Sequence, residues 1–153
     1  MKLKAILLAA MLGVASAGTA LATTEQFQVD LVIRQPIVIT EVDYLFFGEV
    51  DQGAQTVTVD AAATPGPAAG FNAHAASFTV EGQPSGSANV SVDATVDLGL
   101  SNLVSLNVTP ATVSFDGGGT GTATIYVGGS VDLTAGDGPG TYSGTATLTV
   151  VYP

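Results

Sequence analysis

"TYSGTATLTVVY", residues 141–152, is the stretch that decides the fold. Apolar or small side chains and hydroxyl side chains alternate along it with a period of two, which is typical of a β-strand with one buried face. We expect the buried face to carry Tyr142, Gly144, Ala146, Leu148, Val150 and Tyr152. The stretch therefore predicts a strand that runs to the end of the sequence.

Upstream of this strand, shorter stretches repeat the same alternation between turn signals. Strands are expected at 55–59, 76–80, 90–96 and 122–127, and apolar residues from 37 to 47 predict another. Turns are expected at 82–87 and at 116–119, because these segments are rich in residues that favour tight turns, and the strand at 122–127 is expected to end before Gly128-Gly129. Seven to nine short strands predict an all-β sandwich in one domain.

The N-terminus has the pattern of a secretory signal peptide. Lys2 and Lys4 precede an apolar run that is too short to span a membrane, and Ala20-Leu21-Ala22 has the small-x-small form of a cleavage site. We expect cleavage after Ala22 and export of the remaining chain. About 131 residues would remain, which is enough for one domain with its own core.

Charge and composition exclude several kinds of partner and site. Residues 23–153 keep one cation, Arg34, against 13 acidic residues, a net charge near −12. Such a field disfavours nucleic acid and anionic membranes as partners. The chain has no cysteine and one histidine, His74, so a transition-metal site built from nitrogen and sulfur ligands is not expected, and neither is another cofactor. No nucleophile elbow, phosphate loop or zinc-protease motif occurs, so an enzyme is not expected.

The segment after the cleavage site has the pattern of a strand in its own right. Its alternating apolar side chains are Phe27, Val29, Leu31 and Ile33. Gln35-Pro36 then interrupts the pattern, because proline cannot donate to a β-ladder, and we interpret this pair as a hinge. Two interpretations stay open at this point. Residues 23–35 could form the first strand of their own domain, or an extension that pairs with another chain.

A resemblance to a family of bacterial pilins favours the second interpretation. The matching stretches are "YLFFGEVDQGAQTVTVDA" (44–61), "ASFTVEGQPSGSANVSV" (76–92) and "VGGSVDLTAGDGPGTYSGTATLTVVYP" (127–153). They resemble an exported bacterial domain family of unknown function that is related to the major subunits of the Mat or common pilus. The chain is more distantly similar to spore-coat-U-like archaic chaperone–usher pilins.

The resemblance implies an immunoglobulin-like sandwich over residues 36–153 that lacks one strand. It also implies that the extension 23–35 of one subunit completes the next, with Phe27, Val29, Leu31 and Ile33 as interface residues. The expected function is that of a structural subunit in an adhesive or biofilm-forming filament. Expected partners are identical or related subunits, a periplasmic chaperone and an outer-membrane usher.

One alternative function remains from a different class. A self-complete, monomeric sandwich could bind a surface glycan, a matrix component or calcium. Asp116, followed by three glycines, and Asp137, flanked by Gly136 and Gly138, are the acidic positions that calcium would use, although turn chemistry also explains both.

Overall fold

A computed structural model describes residues 23–62 and 70–153 of the chain. The chain divides into two units, and the boundary between them in the sequence falls between Val32 and Ile33. The predicted signal peptide, residues 1–22, lies outside the described residues. Residues 23–32 take no regular secondary structure.

The second unit contains nine strands within the described residues. They are β1 (Val38–Asp43), β2 (Gln55–Val59), β3 (Ala76–Gly82), β4 (Ser87–Val92), β5 (Thr95–Val96), β6 (Val104–Thr109), β7 (Thr112–Ser114), β8 (Gly121–Leu133) and β9 (Leu148–Val151). None of the described residues forms a helix, so none supplies a helical membrane span.

The strands form two antiparallel sheets. The first has the order β1-β3-β8-β6-β5, with β2 also paired to β8. The second has the order β7-β4-β9. This confirms the predicted all-β sandwich and its strand count.

The core lies between the sheets because the inward faces of both carry apolar side chains. Val80 and Ile125 of the first sheet are fully buried against Ala88, Val90 and Val113 of the second. A smaller cluster around Val57, Val104 and Val131 fills the other end of the sandwich.

The predicted end of the strand at Val127 is wrong, because β8 runs through Gly128 and Gly129 without a break. A Cβ atom at Gly128 would overlap the backbone of Val59 and Ala61, and one at Gly129 would lie 2.6 Å from the carbonyl oxygen of Ser105. Glycine is therefore needed here for close backbone approach rather than for chain reversal.

The last strand is also shorter than predicted, since only Leu148–Val151 pair in a ladder. Its partner β4 ends at Val92, and the chain then crosses to the first sheet, where β5 pairs with β6. Residues 141–147 thereby lose a ladder partner. At the crossing, the Thr147 N–H donates to the Asp93 carboxylate instead (2.7 Å). The same crossing divides the strand expected at 90–96 into β4 and β5.

The strand expected from 37 to 47 is likewise shorter, because β1 ends at Asp43. A register shift between Glu41 and Asp43 interrupts the pairing with β3. Beyond it only isolated bridges remain, from Phe46 to His74 and from Glu49 to Phe71.

Candidate functional site: an apolar extension and an open seam

The extension exposes the same kinds of side chain that fill the core. The exposed fractions are 83% for Phe27, 77% for Val29, 83% for Leu31 and 84% for Ile33. Soluble monomers commonly expose single apolar residues, but four at strand spacing form a stripe that is unfavourable in water. These residues therefore have the sequence pattern of a buried strand, but their side chains are exposed.

The predicted hinge residues lie just outside strand β1. Gln35 uses both of its backbone groups: its N–H donates to Oε1 of Gln83 (3.1 Å), and its carbonyl accepts from the Tyr152 hydroxyl (2.7 Å). Pro36 follows, and β1 begins two residues later. Pivoting at Gln35-Pro36 stays a prediction.

The edges of the two sheets lie close together on one side of the sandwich. Strand β1 pairs only with β3, and β9 pairs only with β4, so both carry an unpaired ladder edge within the described residues. The hydrogen bond between Tyr152, which follows β9, and Gln35, which precedes β1, brings the two edges together. We call the space between β1 and β9 the seam.

Apolar side chains that face the seam are only partly covered. Ile39 opposes Val80 in the ladder and therefore points to the same inner face, yet Ile39 is 39% exposed whereas Val80 is 0% exposed. Phe78, Leu148 and Val150 also pack on the core but are only half-buried. The seam is thus a place where the core reaches the surface.

On the opposite side of the sandwich the chain itself connects the two sheets. There β4 continues into β5, and β6 continues into β7, so the chain crosses between the sheets twice. Leu98 and Leu100, which lie between β5 and β6, pack on the buried cluster around Val104. Among the described residues, the strands on this opposite side, β5 and β7, also have an unpaired ladder edge, so the seam is distinguished by its incompletely covered apolar side chains, such as Ile39.

Charges near the seam are mainly negative. Glu41 pairs with Phe78 and shares its inward face, and Glu81 pairs with Val38. The cation Arg34 lies over the Tyr152 ring, with its guanidinium carbon 5.4 Å from the ring centroid. Arg34 therefore sits at one end of the seam, next to the residues that join its edges.

The acidic turns hold their own backbone. Hydrogen bonds from the Thr134 N–H and then from the N–H and hydroxyl of Ser101 lower the pKa of Asp137 to about 2. The Thr122 hydroxyl and N–H likewise lower the pKa of Asp116. These carboxylate oxygens already accept bonds from the protein. Within residues 23–62 and 70–153, no three acidic, histidine or cysteine side chains cluster as a metal site would require.

The one histidine of the sequence, His74, lies on the outer face of the first sheet, beside the end of β1. Its Nδ1 is 3.8 Å from the Asp43 carboxylate, and its ring meets the rings of Tyr44 and Phe46 at centroid distances of 5.0 and 5.7 Å. Beside it, Ser77, Thr79, Thr124 and Tyr126 help to line a shallow concavity of about 390 Å³. Apolar side chains such as Val42 line it as well, and the His74 Nδ1 has no hydrogen-bond partner among the described residues.

The sequence did not predict that Gln83 and Tyr152 are hydrogen-bonded to each other at the end of the seam. Tyr152 was expected on the buried face of the last strand, and it is half-buried there. Its hydroxyl accepts from the Gln83 N–H (2.7 Å). The only signal in the sequence is an aromatic with a polar end at the margin of an apolar strand face.

Comparisons with known proteins place the domain but not its activity. The family model described as "Domain of unknown function (DUF4402)" matches residues 37–152, which begin just after Pro36 and include all nine strands. Comparison with curated proteins gives no match.

Proposed function

The chain belongs to the DUF4402 family, and we propose that it is a structural subunit of an extracellular, pilus-like filament. In this proposal residues 27–33 of one subunit enter the seam of the next and add a strand between β1 and β9. The relation to Mat pilins and to archaic chaperone–usher pilins belongs to the same proposal. So do export, a role in adhesion or biofilm formation, and assembly by a chaperone and an usher.

The observation that carries the proposal is the match between what the extension offers and what the seam lacks. The extension offers four apolar side chains at strand spacing, each at least 77% exposed. The seam lacks a strand at two ladder edges and covers Ile39 and its neighbours incompletely. An added strand would satisfy both needs by β-augmentation.

The magnitudes indicate where the stability of such a contact comes from. Burial of four large apolar side chains contributes about 6–12 kcal/mol. Ordering the backbone of seven residues opposes this by about 7–14 kcal/mol. The two terms nearly cancel, so net stability depends on the acceptor. There the half-buried residues become covered, and the new ladder bonds add about 1 kcal/mol each.

The geometry of the contact favours a polymer over a closed pair. The extension and the seam are different surfaces of one chain, so the contact is head-to-tail. A head-to-tail contact that does not close into a ring continues into a filament. Because the chain has no cysteine, such a filament is held together without disulfides.

Electrophoresis in detergent tests this function directly. Sheared cell-surface material is loaded unheated in one lane and boiled in another. The proposal predicts a ladder of multimers that collapses to one band on boiling. A single monomer band in both lanes would contradict it and would favour the alternative, a self-complete domain that binds a ligand.

A further inference from the structure

Tyr152 joins the two halves of the proposed contact within one subunit. Its hydroxyl donates to the carbonyl oxygen of Gln35 and accepts from the N–H of Gln83, both at 2.7 Å. The Gln83 side chain in turn accepts from the Gln35 N–H at 3.1 Å. Three hydrogen bonds therefore form a closed ring among Tyr152, Gln83 and Gln35, which we call the Tyr152 bridge.

The surroundings of the bridge fit the hydroxyl closely. The Tyr152 ring packs nearly edge-on against Phe115, with centroids 6.3 Å apart. Gly82 leaves room for it, because a Cβ there would lie 2.9 Å from the Tyr152 hydroxyl oxygen and 2.6 Å from Phe115 Cζ. The Arg34 guanidinium lies over the face of the ring. Packing thus fixes the position of the Tyr152 hydroxyl, and the hydrogen bonds of such a fixed network are stronger than those of isolated pairs.

The bridge lies where two functions meet. Tyr152 directly follows β9, whose free edge borders the seam. Gln35 belongs to the predicted hinge and precedes β1, which forms the opposite edge. The bridge therefore spans one end of the seam and at the same time fixes the residue from which the chain continues towards its own extension.

We propose that Tyr152 is a positioning residue with two roles. It sets the spacing of β1 and β9 for the incoming strand, and it holds Gln35, the C-terminal end of its own subunit's extension, which we call the root. This rests on the proposed filament function. A strand that binds along β9 restricts the motion of the residue that follows it, and the restriction passes to Gln35 through the bridge. An occupied subunit then presents its own extension from a fixed root.

A conservative substitution separates this role from simple packing. Tyr152→Phe keeps the ring and removes only the hydroxyl. Tyr142→Phe is the matched control, because it removes a hydroxyl that donates to the Gly138 carbonyl at 2.8 Å, a bond that involves none of the bridge residues. The chain has no cysteine, so Val32→Cys, outside the four predicted interface residues, supplies a single attachment point for a nitroxide label near the bridge.

The first measurement is the mobility of that label in monomeric chain 23–153. Loss of one to two hydrogen bonds should raise the population with a free root about five- to thirtyfold in Tyr152→Phe. Tyr142→Phe should leave the spectrum of the parent unchanged. This readout needs no polymerisation, so it is independent of the filament function.

The second measurement adds a synthetic peptide of residues 24–34. In the parent, bound peptide should reduce the mobility of the label. Tyr152→Phe should bind the peptide at least fivefold more weakly, and its label mobility should not change when the peptide binds. If Tyr152→Phe fails to fold, Gln83→Ala replaces it in the mobility measurement. This variant removes only the bond from the Gln35 N–H and keeps both bonds of the Tyr152 hydroxyl, so label mobility should rise about fivefold, the effect of one hydrogen bond.

Two outcomes overturn the inference. One is equal label mobility in the parent and in the bridge variant. The other is a peptide affinity that the bridge variant keeps within twofold of the parent. Failure of the parent to bind the peptide at all would instead contradict the filament function, and label mobility would still decide whether Tyr152 holds the root.

Discussion

Leu31→Ala offers a sharp separation of subunit stability from filament stability. In the isolated subunit the Leu31 side chain is 83% exposed, so its truncation removes almost no burial. The free energy of unfolding should therefore change by less than about 0.5 kcal/mol. In the proposed filament the same side chain lies inside the neighbouring subunit.

The cost in the filament follows from the atoms removed. Leucine loses three carbon groups on conversion to alanine, and at about 0.8 kcal/mol each this gives about 2.4 kcal/mol. Incomplete collapse of the resulting cavity would add to that value. Most changes in related interfaces act on dissociation, so subunits should leave the multimer about 50-fold faster.

Val32→Ala is the matched control. Val32 is 81% exposed and adjacent in sequence, but in a strand its side chain points to the opposite face from Leu31. Urea unfolding of the monomer gives the first quantity. The rate at which unheated multimers yield monomer in detergent at fixed temperature gives the second. Equal dissociation rates for the two variants, or a clear loss of monomer stability in Leu31→Ala, would contradict the prediction that Leu31 is buried only in the filament.

Two further predictions concern the scaffold. Hydrogen bonds from the backbone of Thr134 and then of Ser101 lower the pKa of Asp137 to about 2. The contribution of the Asp137 carboxylate to stability should therefore be present above pH 4 and lost as the pH falls from about 4 to 2. Urea unfolding midpoints across that range should depend less on acid in Asp137→Asn than in the parent. Gly128→Ala should destabilise the domain by about 1–3 kcal/mol, because its methyl group would meet backbone atoms rather than a movable side chain. Gly119→Ala, with open space around it, should change the thermal midpoint little, and equal midpoints for the two glycine variants would show that the close approach at β8 does not matter.

The fold class could be predicted because alternation is a local signal. Val57 and Val59 are buried on the face that the pattern assigns to them, and so are Val80, Val90 and Ile125. Period-two patterning fixes which side chains face inward wherever one sheet face is buried. It does not depend on which strands become neighbours.

Strand lengths were harder to predict because they depend on partners. Residues 141–147 keep perfect alternation, yet they form no ladder because the chain after β4 crosses to the other sheet. Gly128 and Gly129 resemble a turn in sequence, yet neighbouring backbone requires them inside β8. Both differences come from tertiary packing, which a single sequence encodes only indirectly.

The candidate site was predictable in one half only. The extension from Phe27 to Ile33 is contiguous, so its pattern could be recognised directly. The seam combines Ile39, Phe78 and Val150 from three separate strands, and only sheet topology brings them to one side of the sandwich. The Tyr152 bridge joins positions 117 residues apart, from Gln35 to Tyr152, for the same reason.

The central claim, that the extension of one subunit occupies the seam of another, is tested most directly by isotope-resolved cross-linking. A photoreactive amino acid replaces Leu31 in unlabelled subunits, which are assembled with ¹⁵N-labelled subunits that carry no cross-linker. Mass spectrometry after irradiation then shows which peptide each cross-link reaches. If the extension occupies a neighbouring seam, unlabelled residue 31 is joined to ¹⁵N peptides that contain Ile39 or Val150. Cross-links confined to unlabelled peptides at low input of unlabelled subunit would contradict it, because they would show that the extension folds onto its own domain.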